Sequence, residues 1–397
     1  MPSALPQGET PPQDGTLPDV ALQNISTIPF SFYLHVPYCK SRCGYCDFNT
    51  YIAKELDHHE QSDWLDAARR EILLAKRIVG DISPVESVFV GGGTPTLLPA
   101  NELVATLDCI RNNFEVASAL EVTTEANPDS VSLESLSRLR EAGFNRISFG
   151  VQSFRASVLQ VLDRTHDQDN VFRAIDWAKS AGFSNLSIDL IYGAPGETIE
   201  DVEYSIQKFL DLDIQHISAY ALIVEDGTQL SRKVKSGLIA APDDDLMADK
   251  YDLIDEMLHQ AGFSWYEISN WSKPTFESEH NLHYWKNHNW WGVGPGAHSH
   301  INGVRWWNVK LPGDWVKKLA ANQSPAYARE HLSEAQIQTE HIMLNLRLAR
   351  GLQLGNVQES VIQDLVSDQL VEVNDERVSL TRKGRLLADY VVRILTT

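Results

Sequence analysis

Cysteine is scarce, at four residues among 397. That is no disulfide framework, and a chain of this length buries enough surface to fold without such staples. Long apolar runs are missing too. The most apolar stretch, from Ile217 to Val224, is far too short to cross a bilayer. Positive charge is in deficit: 34 Lys and Arg against 54 Asp and Glu leave a formal net charge of −20. Such a surface repels phosphate backbones and excludes general nucleic-acid binding. No Lys or Arg precedes Lys40, so the basic start of a secretory signal is lacking. Together these absences predict a cytoplasmic protein with reduced thiols and no integral membrane segment.

What is present is globular. The chain is 43% hydrophobic and 22% charged, enough for two or three domains or one large barrel with an appendage. Residues 1–29 contrast with the rest, holding six prolines among Gly, Gln, Thr and Asp. That composition predicts a disordered Pro-rich tail.

Three cysteines fall within eight residues, Cys39, Cys43 and Cys46, directly after the apolar run Phe30–Val36. Spacings of three and two let one loop wrap three soft thiolates around one centre. One reading is a structural zinc knuckle, which needs a fourth ligand, and the second pair of a closed zinc site is missing. The other is a 4Fe-4S cluster with one iron left open. Cys109 is the odd one out, on an amphipathic helical pattern, and reads as a small core residue.

Downstream, β-rich runs alternate with helical patterns. Strands are predicted at Phe30–Val36, Ser87–Gly91, Leu120–Thr124, Arg146–Phe149, Leu186–Ile191 and His216–Leu222. Helices are predicted near 62–79, 101–114, 133–142, 169–181 and 199–211. This alternation is that of a parallel α/β fold, a partial (β/α)6 TIM-like barrel, whose ligands collect at the carboxyl ends of the strands. Polar and glycine residues stand at those ends: Gly91-Gly92-Gly93-Thr94-Pro95, whose N–H groups are expected to lie bare, Glu125, Gln152 and Asp189, with Arg164 shortly after. A lone Asp or Glu at a strand end is commonly a helix cap; several in succession are harder to read that way.

The C-x3-C-x2-C after a strand, with Tyr45 before the last cysteine, resembles the radical S-adenosylmethionine (SAM) superfamily. Tyr33-Leu-His35-Val-Pro37 through Cys46, the Gly91–Pro95 run, Glu125, Gly150-Val-Gln152-Ser153, Arg164 and Ile188–Gly193 together resemble the family of oxygen-independent coproporphyrinogen III dehydrogenases and related heme chaperones, the HemW branch. The resemblance spans roughly residues 30–230. It implies a radical SAM barrel with a cluster on Cys39, Cys43 and Cys46, whose open iron is chelated by SAM. It further implies SAM contacts from Tyr33, Gly92, Gly93, Thr94, Glu125, Gln152, Arg164 and Asp189, with Tyr45 beside the cluster or adenine.

Two features bear on the branch. The dehydrogenases carry a further cysteine two residues after the third ligand, where this sequence has Phe48, as heme chaperones do. Eight of the ten tryptophans and five of the thirteen histidines lie between Trp265 and Trp315. Within that block His280-Asn281-Leu282-His283-Tyr284-Trp285 resembles the heme-chaperone pattern H-N-x-x-Y-W. A macrocycle needs a flat apolar slot and an axial donor. The resemblance therefore implies a heme site at His280, Asn281, Tyr284 and Trp285, with His283 as the second candidate ligand. The plainer alternative is that this block covers the barrel with hydrogen-bonded histidines. The glycine-rich run Gly292–Ser299 is no phosphate loop and is expected to close over the cluster or SAM.

From residue 331 the texture changes. Helices at 333–349 and 356–368, a hairpin from Leu370 to Leu380 and a helix near 381–395 read as a winged-helix-like module. Its net charge of −2 argues against reading DNA and for docking on the barrel or on a protein. The predicted organisation is a tail at 1–29, a radical SAM barrel at 30–262, a Trp/His-rich connecting segment at 263–330, and the C-terminal module at 331–397.

Three functions follow from the sequence. The first is a heme chaperone that binds a 4Fe-4S cluster, SAM and heme, takes electrons from a donor and delivers heme to apo-hemoproteins. The second is a coproporphyrinogen III dehydrogenase working by oxidative decarboxylation. The third is a zinc-stabilised binding protein.

Overall fold

A computed structural model describes residues 7–52, 55, 63–356 and 359–396. Its core is a run of parallel strands: β1 (Phe30–Val36), β2 (Val85–Gly92), β3 (Val116–Ala126), β4 (Arg146–Gln152), β5 (Asn185–Tyr192) and β6 (His216–Ala221). They lie side by side in sequence order, each parallel to the next. The helices between them are α1 (Trp64–Val79), α2 (Ala100–Asn113), α3 (Leu133–Glu141), α4 (Gln168–Ser180) and α5 (Ile199–Asp211). All six strands and five helices overlap their predicted positions.

Alternation along each strand decides what faces where. In β1, Phe30, Phe32, Leu34 and Val36 are buried in the main apolar core, and Phe32 meets Phe114 edge-on. The intervening Ser31, Tyr33 and His35 turn the other way. The same two-residue rhythm sets Arg146, Ser148 and Gln152 against Ile147, Phe149 and Val151, and His216, Ser218 and Tyr220 against Ile217 and Ala219. Tyr33, Phe89, Glu125, Arg146, Ser148, Gln152, Asp189, His216, Ser218 and Tyr220 all line one cavity, so the sheet curls around a polar lumen. Ser132, Asp167 and Thr198 cap α3, α4 and α5 through reciprocal bonds with the third helical residue. These caps fix the loops that leave β3 and β5 and the approach to α4.

The segment 263–330 does not simply connect. It adds β7 (Ser264–Glu267) and β8 (Asn270–Ser272) beside β6. After α7 (Glu279–Trp285) it adds β9 (Asn289–Val293), β10 (His298–Ile301) and β11 (Val304–Asn308), then α8 (Pro312–Ala320) and β12 (Ala326–His331). β9 pairs parallel to β1, and β10 to β12 follow antiparallel, giving this one sheet twelve strands among the described residues.

The expected disordered tail is corrected for residues 7–29; residues 1–6 lie outside the described residues. Leu17, Ala21 and Ile25 are buried, and Glu9 bridges β12 through both backbone bonds with Arg329 and an ion pair to its side chain. Proline does not preclude order here, because the strap borrows its hydrogen-bond partners from an edge strand.

The C-terminal part has a separate core around Leu346, Leu352, Val378 and Val391. It consists of α9 (Glu334–Leu346), α10 (Glu359–Ser367), a hairpin of β13 (Val371–Asn374) and β14 (Arg377–Leu380), and a final α11 (Ala388–Thr396). The predicted single last helix is divided, because Leu387 leaves helical geometry between Arg382–Leu386 and α11. Arg385 holds Asp255 with two bonds of 2.6 and 2.7 Å, docking this part on α6 (Asp244–Gln260).

Candidate functional site

The loop after β1 brings Cys39, Cys43 and Cys46 to the rim of one cavity. Tyr45, Gly92, Gly93, Thr94, Glu125, Gln152, Arg164 and Asp189 line the same cavity. Every residue expected to touch the cluster or SAM except Tyr33 is therefore gathered at one place. Tyr33 stands one cavity over, in the lumen, which Glu125, Gln152, Asp189, Tyr45 and Cys46 also line.

The thiols sense one another. Burial first, then Cys46 and Cys43, push Cys39 up to about 11, and burial raises Cys46 as well. Among the described residues no three His, Cys, Asp or Glu side chains could hold one metal ion. Three thiols spread around a shared cavity suit a multi-iron cluster better than a zinc ion. Arg164 braces this pole. Its guanidinium donates to Asn127 Oδ1 at 2.7 Å, to the Gly150 carbonyl at 2.6 Å, and lies 3.5 Å from Cys43 Sγ.

The glycine run is a correction. Its N–H groups are not bare: Gly92 donates to Glu125 Oε2, Gly93 to the Val36 carbonyl and Thr94 to the Tyr38 carbonyl. Gly92, Gly93 and Thr94 nonetheless line the cluster cavity. Glycine is needed at 93 because a Cβ would stand 2.5 Å from the Tyr38 carbonyl and 3.0 Å from Cys39 Sγ. Gln152 holds the left-handed conformation, φ 66°, the kind of local strain that collects at functional sites.

Two half-buried carboxyls face the cavity. Burial and then Asp189 raise Glu125 to about 8; burial raises Asp189, against bonds from Ser218 and Ser148. Ser148 Oγ donates to Asp189 Oδ1 at 3.0 Å. Arg146 is the buried cation of the lumen, and its Nε has no partner among the described residues. Arg146, Ser148, His216, Ser218, Tyr220 and Phe89 were not singled out from the sequence. The signal was there, as polar residues recurring every second position in otherwise apolar strands.

Helix α7 closes the lumen from the end where the strands begin. Glu121 accepts from Glu279 and His280 N–H and from Ser278 Oγ, and so caps that helix. His280, Asn281 and Tyr284 line the lumen cavity of about 550 Å³. His280 is not an open ligand: Nδ1 shares a hydrogen bond with Ser87 Oγ at 2.8 Å and Nε2 with Tyr284 Oη at 2.9 Å. It is 1% exposed and stacks on Phe89. Trp285 is half-buried and is not among the residues lining the lumen. His283 meets Glu86 at 3.1 Å through Nε2, and its Nδ1 has no partner among the described residues.

A second cavity of about 560 Å³ lies between the cluster loop and the added strands. Tyr33, Phe48, Glu125, Tyr284, Trp290, His298 and Lys310 are among its walls. The glycine-rich run packs against Asn49, just past the cluster cysteines, and lines the second cavity rather than the cluster cavity. Asn49 Nδ2 donates to the Pro295 carbonyl, and a Cβ on Gly296 would lie 2.5 Å from that amide. Phe48 is 62% exposed and borders both large cavities.

Residues 33–209 match the radical SAM superfamily. The chain is 45% identical over 370 residues to the heme chaperone HemW of Mycobacterium tuberculosis, covering 92% of this chain and 95% of the relative. It is 36% identical to the heme chaperone HemW of Bacillus subtilis, over 91% and 97%. The Escherichia coli coproporphyrinogen III oxidase HemN, a radical SAM enzyme, superposes with a TM-score of 0.81 over 95% of this chain and 92% of its own, at 23% identity, a likeness of fold.

Proposed function

This chain belongs to the heme chaperone HemW family, with a radical SAM domain at residues 33–209, and on that premise we propose that it binds heme as cargo and passes it to apo-hemoproteins. One observation carries the reading: three thiols, a glycine run and the polar ends of successive strands converge on a single cavity, while the exposed side chain beside them is Phe48 rather than a thiol.

Cys39, Cys43 and Cys46 would hold a 4Fe-4S cluster, and Glu125, Gln152, Arg164, Asp189 and the glycine run would hold SAM. When bound, such a pair supplies one-electron chemistry at a sulfonium centre. The chain's own residues set the terms. The Glu125 carboxyl offers acceptors to an ammonium group. Arg164 ties β4 to the cluster loop. Tyr45 is half-buried at the same place and presents its ring as a wall. Heme would rest on the aromatic surface around Tyr284, which borders both large cavities. No described helix is long and apolar enough to cross a membrane, in keeping with work in the cytoplasm.

The test uses anaerobically reconstituted full-length protein with reductant, SAM and coproporphyrinogen III, beside a heme titration. The proposal expects heme binding and no catalytic formation of protoporphyrinogen. Repeated turnover of the porphyrinogen would replace it with the dehydrogenase reading, and zinc without iron or sulfide would replace both.

A further inference from the structure

We propose that heme is seated in the second cavity, with the His298 imidazole as axial donor and Lys310 as the partner of a heme carboxylate. This rests on the heme-carrying reading above and names the place and the ligand.

The histidines sort themselves by what their ring nitrogens already do. His35 bonds Tyr33 Oη and the Asn49 carbonyl; His216 bonds Ser187 and Tyr266; His300 bonds the His288 carbonyl and Gly303 N–H. His280 bonds Ser87 and Tyr284. Each would have to break a buried hydrogen bond to reach iron, leaving its partner unsatisfied. His283 and His288 each leave Nδ1 without a partner among the described residues but line neither large cavity; His298 differs in lining the second. Its ring makes no hydrogen bond among the described residues, is exposed, and stacks on Trp307 with centroids 5.7 Å apart and planes at 25°.

That ring also stands on a rigid mount. Gly294 N–H donates to Glu71, Gly296 N–H to the Val309 carbonyl and Asn308 N–H to the Ala297 carbonyl. The β10 register then fixes His298 opposite Trp307. A donor held this way loses little freedom on binding.

The cavity suits the cargo in size and lining. It measures about 560 Å³, and Tyr33, Phe48, Tyr284 and Trp290 supply flat walls. Its acidic residues, Asp47 and Glu125, belong to the cluster loop and β3. Its cation, Lys310, belongs to the added strands and has no ion-pair partner among the described residues. A macrocycle with two carboxylates is thereby oriented with those groups toward Lys310.

Heme titrations of the full chain, read by Soret position and low-temperature electron paramagnetic resonance, compare wild type with His298→Ala, His280→Ala and Lys310→Glu. The proposal expects His298→Ala to lose the imidazole-ligated signature and at least roughly tenfold in affinity, with the signature restored by added imidazole. His298→Gln replaces it should the alanine variant not fold. His280→Ala is expected to keep the wild-type signature. Lys310→Glu is expected to weaken binding while leaving the Soret position in place. Wild-type spectra from His298→Ala, or loss of ligation in His280→Ala alone, overturn the assignment while heme binding stands. Failure of the wild type to bind heme overturns the heme reading itself.

Discussion

The two sides of the sheet treat polar side chains in opposite ways. Along the parallel strands, lumen-facing groups satisfy one another across neighbours: Ser148 with Asp189, Ser187 with His216, Ser87 with His280, Gly92 N–H with Glu125. Across the added strands, rings stack instead. Trp291 meets Trp306 edge-on, Trp290 tilts over His300 and His298 lies on Trp307. The first arrangement leaves a preorganised polar pole beside the cysteines. The second leaves flat surface, with the His298 ring unbonded and Lys310 unpaired among the described residues. Around the second cavity the histidines thus divide into His35, used as a strut, and His298, left available, a distinction that sequence spacing does not carry.

That contrast can be broken from either side. The largest effect belongs to the cysteines: replacing any one of Cys39, Cys43 or Cys46 by Ala should abolish iron and acid-labile sulfide, measured after anaerobic reconstitution. Next comes the buried pair of Lys250 and Glu197, 3.0 Å apart and 1% and 2% exposed, whose carboxylate also accepts from Gly193 N–H at the end of β5. Lys250→Met strands that carboxylate and should cost about 3–5 kcal/mol in denaturant titrations. Replacing both partners by apolar residues should recover most of the loss.

A smaller effect is set by pH. Burial holds Glu125 near about 8, so below that value the free site keeps a proton that a cationic ligand must displace. SAM affinity should rise with pH toward about 8, by at most roughly tenfold per unit, and level off above it. Glu125→Gln should flatten the profile. Smallest is Ser87→Ala, which unpairs one nitrogen of His280 and should cost about 1–3 kcal/mol of stability without moving the heme spectrum. An altered spectrum would return His280 to the role of ligand.

Much of this architecture was legible because strand alternation is local. Phe30 to Val36 announces which side chains go outward, and the strand-end residues Glu125, Gln152 and Asp189 announce where a ligand gathers. Pairing over distance was not legible. Nothing in Asn289–Val293 says that it lies parallel to β1, more than 250 residues earlier, and six prolines gave no hint that Glu9 pairs with Arg329. Hydrogen-bond accounting was hidden for the same reason. The glycine run reads as a bare cradle until the carbonyls of Val36 and Tyr38 are seen to take its N–H groups. His280 reads as a donor until Ser87, from another strand, is found on its Nδ1.

The central claim is that heme is carried here for release. Mixing heme-loaded protein with an apo-hemoprotein and following the Soret bands tests it most directly. The account predicts that absorbance leaves the carrier and appears, mole for mole, as the recipient's spectrum. Heme that stays on the carrier in the presence of a competent recipient would contradict it.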